Sequence, residues 1–363
     1  MTSAAPLPGA TRILQDGIAR GLHSGAQLFV SLRGEPIANL ALGDRAPRSP
    51  MTTHTILPWM SAGKPVAAVA VAILQERGLL ALDDTVAKYL PGYAASGKEA
   101  VTLRHLLTHT GGQRLVESQW RPAPYEEIVA SICEARQDPG WIPGEKAGYH
   151  PASSWFILAE VVRIVDGRQF DRFAIEEVFR PAGMSDSCFT MTDSIWGTLE
   201  ERIGFLYETT TKPPTPLPWT TRPHCAQLRP GASARGPAVD LARFYEMLLA
   251  GGNGILRPET IKMFSSRHRV GKRDITFQYV MDWGLGFMCN SQQNSPEPPP
   301  YGFGRHASPA TFGHGGMQSS MAFCDPAYGL VVTWICNGTP GDTQHQKRNR
   351  AINEAVYEDL ALA

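Results

Sequence analysis

The chain has 363 residues, with Lys plus Arg and Asp plus Glu both counting 34; the length allows one large domain or two intimate subdomains, and the zero formal charge argues against a broad basic face for nucleic acid or anionic membrane. Hydrophobic residues at 43% and charged residues at 19% are a globular composition, and no apolar run approaches the roughly 20 residues of a membrane span. A small neutral substrate fits this balance best.

The N-terminal MTSAAPLPGATRILQDG lacks the basic start and the apolar core of roughly 7–15 residues that mark a secretory signal, so a cytoplasmic location is expected. Residues 11–21 predict a short helix. The segment GAQLFVSLRGEPIANLALG (25–43) alternates as two strands around a turn at Arg33-Gly34-Glu35-Pro36. Residues 61–78, rich in Ala and Val, predict a buried helix that Ser61 begins and Gly78 ends, and Asp83-Asp84 in the following LLALDDTVAKYLPG reads as a cap. VTLRHLLTHTGG (101–112) predicts a short helix stopped by Gly111-Gly112, and 151–166 an amphipathic helix opened by Pro151. Two Pro-rich, non-periodic stretches, 209–223 and 290–302, read as long surface loops able to roof a site. A helix at 237–250, strands at 281–290, 318–323 and 329–337, and a closing helix at 345–361 complete the chain.

Strands at both ends with helices between them predict an α+β fold, an α/β sandwich. An antiparallel sheet is built from N- and C-terminal strands (approximately 1–80 and 225–363) and flanked by helices, beside a mostly helical part (approximately 81–224), all in one catalytic domain. The six cysteines, Cys133, Cys188, Cys225, Cys289, Cys324 and Cys336, form no CxxC pair and are expected to be reduced and structural. His105 and His109 stand at i, i+4, as zinc ligands can, without a third ligand or an HExxH glutamate. No metal or organic cofactor is implied.

Ser61-Ala62-Gly63-Lys64 is Ser-x-x-Lys at a helix start, where positions i and i+3 share a face. A serine hydroxyl is a poor nucleophile until a base takes its proton. A lysine serves as that base once burial depresses its pKa from about 10.4. Position 59 is tryptophan, so no Gly-x-Ser-x-Gly elbow surrounds Ser61. A Ser-His-Asp arrangement through His150 is the alternative site, and Trp59, Trp120, Trp141, Trp219 and Trp283 are candidates for lining an apolar acyl pocket, with core or rim packing the commoner role.

Several motifs in order then point one way: LPWMSAGKPVAAVAVAILQERGLLALDDTVAKYLPG, VTLRHLLTHTGG, FRPAGMSDS (179–187), GASARGPAVDLARF (231–244), WGLGF (283–287) and FGHGG (312–316). Over nearly its whole length the chain resembles the serine β-lactamase and penicillin-binding-protein superfamily, in particular its class C-like (family VIII-type) esterase and transesterase branch. The resemblance implies a Ser61 nucleophile with Lys64 as proton acceptor. Tyr149, in Tyr149-His150-Pro151, matches the tyrosine of the family's Tyr-x-Asn motif and implies a proton shuttle, as phenolate or as hydrogen-bond partner of the lysine. The motif's asparagine is replaced by Pro151, which argues against β-lactam recognition. His314-Gly315-Gly316 stands where the family carries Lys-Thr-Gly, so the lysine that binds a substrate carboxylate is missing.

By the same resemblance the backbone N–H groups of Ser61 and Met317 form an oxyanion hole. His314, Gly315, Gly316 and His150 are expected to bind substrate, the glycines by letting a substrate backbone approach the strand. The implied function is hydrolysis of a small-molecule carboxylic ester through a Ser61 acyl-enzyme. An acyltransferase or cyclising thioesterase is the alternative; β-lactamase or D-amino-acid peptidase activity ranks lower. A non-catalytic binding protein would be the reading from another class, and the joint presence of Ser61, Lys64 and Tyr149 argues against it.

Overall fold

Residues 6–113 and 115–363 are described by a computed structural model in which strands from the two ends of the chain meet in one antiparallel sheet. Among the described residues seven strands form it: β1 (Gly25–Leu32), β2 (Glu35–Ala46), β3 (Ser49–Pro50), β4 (Met288–Cys289), β5 (Phe312–Gly316), β6 (Ser320–Asp325) and β7 (Leu330–Cys336). Their order is β4-β5-β6-β7-β1-β2-β3. The central pairing sets Ala26 opposite Cys336 and Leu32 opposite Leu330, which joins the chain's two ends. The helices that bear on the site are α1 (Pro8–Ala19), α2 (Lys64–Glu76), α3 (Leu103–Leu107), α4 (Ser153–Asp166), α5 (Ala238–Leu249) and α6 (Asp342–Asp359).

Strand alternation divides the sheet between two cores. Leu28 and Val30 pack with Trp334, Ile352 and Tyr357 beneath α1 and α6, whereas Phe29 faces Val66, Leu241 and Phe244 of α2 and α5. With both faces covered, β5, β6 and β7 are buried throughout. A fully buried Leu or Val contributes about 1.5–3 kcal/mol, and a one-residue slip would exchange the two faces, so the register is strongly specified. Helix α2 is buried from Lys64 to Leu74, because it lies between the sheet and α4 and has no solvent face. No helix among the described residues is long and apolar enough to cross a membrane.

The α+β sandwich matches the sequence reading; several local details differ. Ser61 does not begin the α-helix: it sits in a 3-10 turn, Met60–Gly63, and α2 starts at Lys64. The 101–112 helix contracts to α3, which Thr102 opens by accepting the His105 N–H while His105 Nδ1 accepts the Thr102 N–H, a reciprocal cap. Asp84 caps no helix; its carboxylate holds the Ala81 N–H and the Lys88 ammonium and so clamps its loop. Helix α4 begins at Ser153, two residues after Pro151. The strand expected over 281–290 reduces to β4, because Gly284 and Gly286 turn the backbone and Trp283 pairs back with Arg269 and Met288. The 209–223 stretch also carries structure: Thr215–Pro216 pairs with Tyr207–Glu208, which in turn pairs with Gly338–Thr339.

Candidate active site

The turn that carries Ser61 is fixed by its neighbours. Trp59 is buried; its backbone N–H donates to Ala234 O (2.9 Å), its indole N–H to Gly236 O (2.9 Å), and its carbonyl accepts from Ser320 Oγ of β6 (2.7 Å). Met60 adopts a left-handed conformation (φ 52°), a strained geometry for a non-glycine residue that surrounding structure must hold in place. The result presents Ser61 to a cavity while Lys64, three residues on, is wholly buried.

Lys64 Nζ lies 2.7 Å from Ser61 Oγ and donates to Gly231 O at 2.6 Å. The Tyr149 hydroxyl donates to Ser61 Oγ at 2.9 Å. Burial drives the Lys64 pKa well below its ordinary value, and the aromatic rings of Tyr149 and Trp155 stand 5.3 and 5.7 Å from Nζ. A neutral amine suits these contacts: one N–H meets Gly231 O, and the nitrogen lone pair is open to the Ser61 O–H. Burial also raises the Tyr149 phenol above its ordinary value, a shift the Ser61 hydrogen bond only partly opposes. The shift favours the protonated phenol, the form that donates to Ser61 Oγ.

Tyr149 is positioned by Asp274, a residue that sequence reasoning missed. Its Oδ1 accepts the backbone N–H groups of Tyr149 (3.1 Å), Thr276 (2.9 Å) and Phe277 (3.1 Å). Asp274-Ile275-Thr276 carries the signal of an Asx turn, although nothing local connects it to position 149. Asp274 is itself buried 3.1 Å from the Arg269 guanidinium.

His314, on β5 opposite Ala322, does not face solvent; it is 2% exposed. Its Nδ1 is 2.7 Å from Gly315 O, and only an N–H can make that bond, so Nε2 carries the lone pair. Burial, with the Lys64 ammonium form a lesser cause, pushes its pKa down to about 3. The ring stands edge-on to Trp283 with centroids 5.4 Å apart. His314 thus borders the cavity as a neutral imidazole.

Two substrate-binding expectations are corrected by the packing. His150 is not among the residues lining the Ser61 cavity: its backbone N–H donates to His109 Nδ1 (3.1 Å) and its ring packs edge-on to Trp141. Gly315 and Gly316 are glycines for the protein's own needs. A Cβ on Gly315 would lie 2.2 Å from the Tyr301 ring, and one on Gly316 would lie 2.2 Å from Ser320 Oγ and from Trp59 O. Gly316 is not among the residues lining the cavity, whereas Gly315 borders it. Met317 also borders it, and among the described residues its N–H makes no hydrogen bond within the protein. His105 and His109 serve the α3 cap and the His150 backbone.

The cavity holds about 170 Å³. Ser61, Tyr149 and His314 share it with Trp120, Trp219, Phe277, Tyr301 and Met317, and among the described residues no Lys, Arg, Asp or Glu lines it. Trp219 and Tyr301 come from the two Pro-rich stretches, which therefore do roof the site. Among the sequence's candidate tryptophans, Trp120 and Trp219 reach the cavity; Trp59, Trp141 and Trp283 are buried.

Comparisons with known proteins agree with this geometry. A family profile described as Beta-lactamase matches residues 10–357. Esterase EstB of Burkholderia gladioli is 27% identical, covering 92% of this chain and 90% of its own. Penicillin-binding protein 4 of Amycolatopsis lactamdurans is 26% identical over 86% of this chain and 81% of its own. The crystal structure of a family VIII carboxylesterase superposes with a TM-score of 0.79 at 25% identity, covering 99% of both chains.

Proposed function

The chain belongs to the beta-lactamase family, and from that premise we propose that it is a serine hydrolase of carboxylic esters working through a Ser61 acyl-enzyme. One observation carries the reading: Ser61 Oγ stands between Lys64 Nζ and the Tyr149 hydroxyl, at 2.7 and 2.9 Å, in a cavity that no charged side chain lines among the described residues. A β-lactam or a peptide C-terminus brings a carboxylate, and no Lys or Arg of the described residues meets it there. An ester brings none. The resemblance to Esterase EstB supports the same class.

In this mechanism neutral Lys64 takes the Ser61 hydroxyl proton as Oγ bonds to the ester carbonyl carbon. The carbonyl oxygen becomes an oxyanion, which the N–H groups of Ser61 and Met317 stabilise by a few kcal/mol each. On collapse the C–O bond to the alcohol breaks, the departing oxygen takes the Tyr149 proton, and Lys64 ammonium restores it. Water then repeats the sequence in reverse and frees the acid. Transfer to an alcohol is the second reading; the aromatic walls at Trp120, Trp219 and Phe277 favour it, since they hold an organic acceptor against water. Action in the cytoplasm accords with six cysteines that are all free.

Short p-nitrophenyl esters and a chromogenic cephalosporin, assayed side by side with and without added alcohol, test the proposal. Ester turnover is expected to exceed cephalosporin turnover by at least about two orders of magnitude in kcat/KM, a difference of about 2.7 kcal/mol in transition-state binding. Rapid cephalosporin hydrolysis with inert esters would reverse the assignment.

A further inference from the structure

A second cavity, of about 200 Å³, lies beneath the Pro-rich stretch that supplies Tyr301. Met281, Met288 and Phe303 give it an apolar floor, and Met288 and Tyr301 also line the Ser61 cavity. These two side chains are thus the partition between the spaces. Tyr301 is fixed: its hydroxyl accepts the Gln318 N–H (3.0 Å), its own N–H donates to Gln346 (3.3 Å), and its ring lies against Gly315. Met288 is buried beside Met281, Trp283 and Phe303 in the core, and its backbone lies on the two-residue strand β4 opposite Gly313. An unbranched methionine side chain with three rotatable bonds readily changes shape.

We infer that the second cavity is the acyl pocket of the enzyme, reached past Met288, and that the preferred substrates are esters of neutral, linear, medium-chain acids. This rests on the ester-hydrolase reading of Ser61. At about 30 Å³ per water-sized group, each space takes on the order of six such groups. The Ser61 cavity must hold the scissile ester and the head of the alcohol, which leaves room for a short acyl stub; a chain of about eight carbons needs the second space. Its apolar floor suits methylenes, each worth about 0.8 kcal/mol when buried. The ion pair of Arg305 and Glu354 (3.7 Å) borders this cavity and is itself partly exposed, so the chain's end meets a polar rim. A branched acid would stop at Met288.

The test is kcat/KM for p-nitrophenyl acetate and octanoate in the wild type, Met288→Ala and Ser295→Phe, the last placing a ring in the second cavity from its half-buried loop position. The wild type is expected to favour octanoate at least tenfold, Met288→Ala to widen that ratio, and Ser295→Phe to reduce it to within about twofold. A wild type that favours acetate, or a ratio that neither variant changes, overturns the acyl pocket while acetate turnover leaves the hydrolase standing. Loss of turnover on both wild-type substrates overturns both.

Discussion

Replacing Lys64 with methionine is expected to lower kcat/KM on a short ester by about four orders of magnitude, the upper end for positioned proton transfer and about 5 kcal/mol of barrier. The same variant should melt no lower than the wild type. Burial depresses the amine's pKa in the fold, while in the unfolded chain it carries a proton up to about pH 10.4. Between those two pKa values the unfolded state binds the extra proton, so stability rises with pH across that window and the folded state bears a cost within it. Methionine, uncharged in both states, removes that cost; the opposing loss is the donor to Gly231 O, about 1–3 kcal/mol. Catalysis has the matching sign. Only the neutral amine accepts the Ser61 proton, so wild-type kcat/KM falls as pH drops through the folded Lys64 pKa, and the residual rate of Lys64→Met lacks that limb. Thermal melts and a pH profile read both. A variant that lost stability along with activity would mark Lys64 as structural.

Tyr149→Phe should reduce kcat by about two to three orders of magnitude. The ring packs against His109 and Phe277, with centroids 4.8 and 4.9 Å away, and phenylalanine keeps those contacts, so KM should change little. Because the phenol is held neutral by burial, its role is to donate a proton to the leaving oxygen. The loss should therefore depend on the leaving group. An ethyl ester, whose alkoxide must be protonated, should suffer at least tenfold more than a p-nitrophenyl ester. Comparable losses on both would move Tyr149 from proton donation to holding Ser61.

The proposed catalytic pair was legible because it is local: Ser61 and Lys64 are one turn apart, and their contact survives the change from α-helix to 3-10 turn. That change was not legible, since it depends on the bonds of Trp59 to Ala234, Gly236 and Ser320, all distant in sequence. The strands at 25–43, 318–323 and 329–337 showed in their apolar and β-branched residues; β3 and β5 were not read as strands from their pattern, and 281–290 shortens because two glycines turn the chain. His150 was misassigned because adjacency to Tyr149 suggested a shared target, but adjacent side chains on extended backbone point to opposite sides. One meets Ser61, the other packs on Trp141. Gly316 shows the same limit: a missing side chain signals close approach without naming the neighbour, here Ser320 and Trp59. Trp120, Trp219 and Tyr301 reach the cavity from non-periodic segments, and Asp274 reaches Tyr149 across 125 positions. Such placement is purely tertiary.

The central claim is that Ser61 is the acylated nucleophile, and covalent labelling tests it most directly. Wild type and Ser61→Ala are treated with a fluorophosphonate, and intact mass and peptide mapping follow. The account predicts one adduct per wild-type chain, on the peptide that contains Ser61, and none on Ser61→Ala. An unlabelled wild type, or equal labelling of the two proteins, would contradict it.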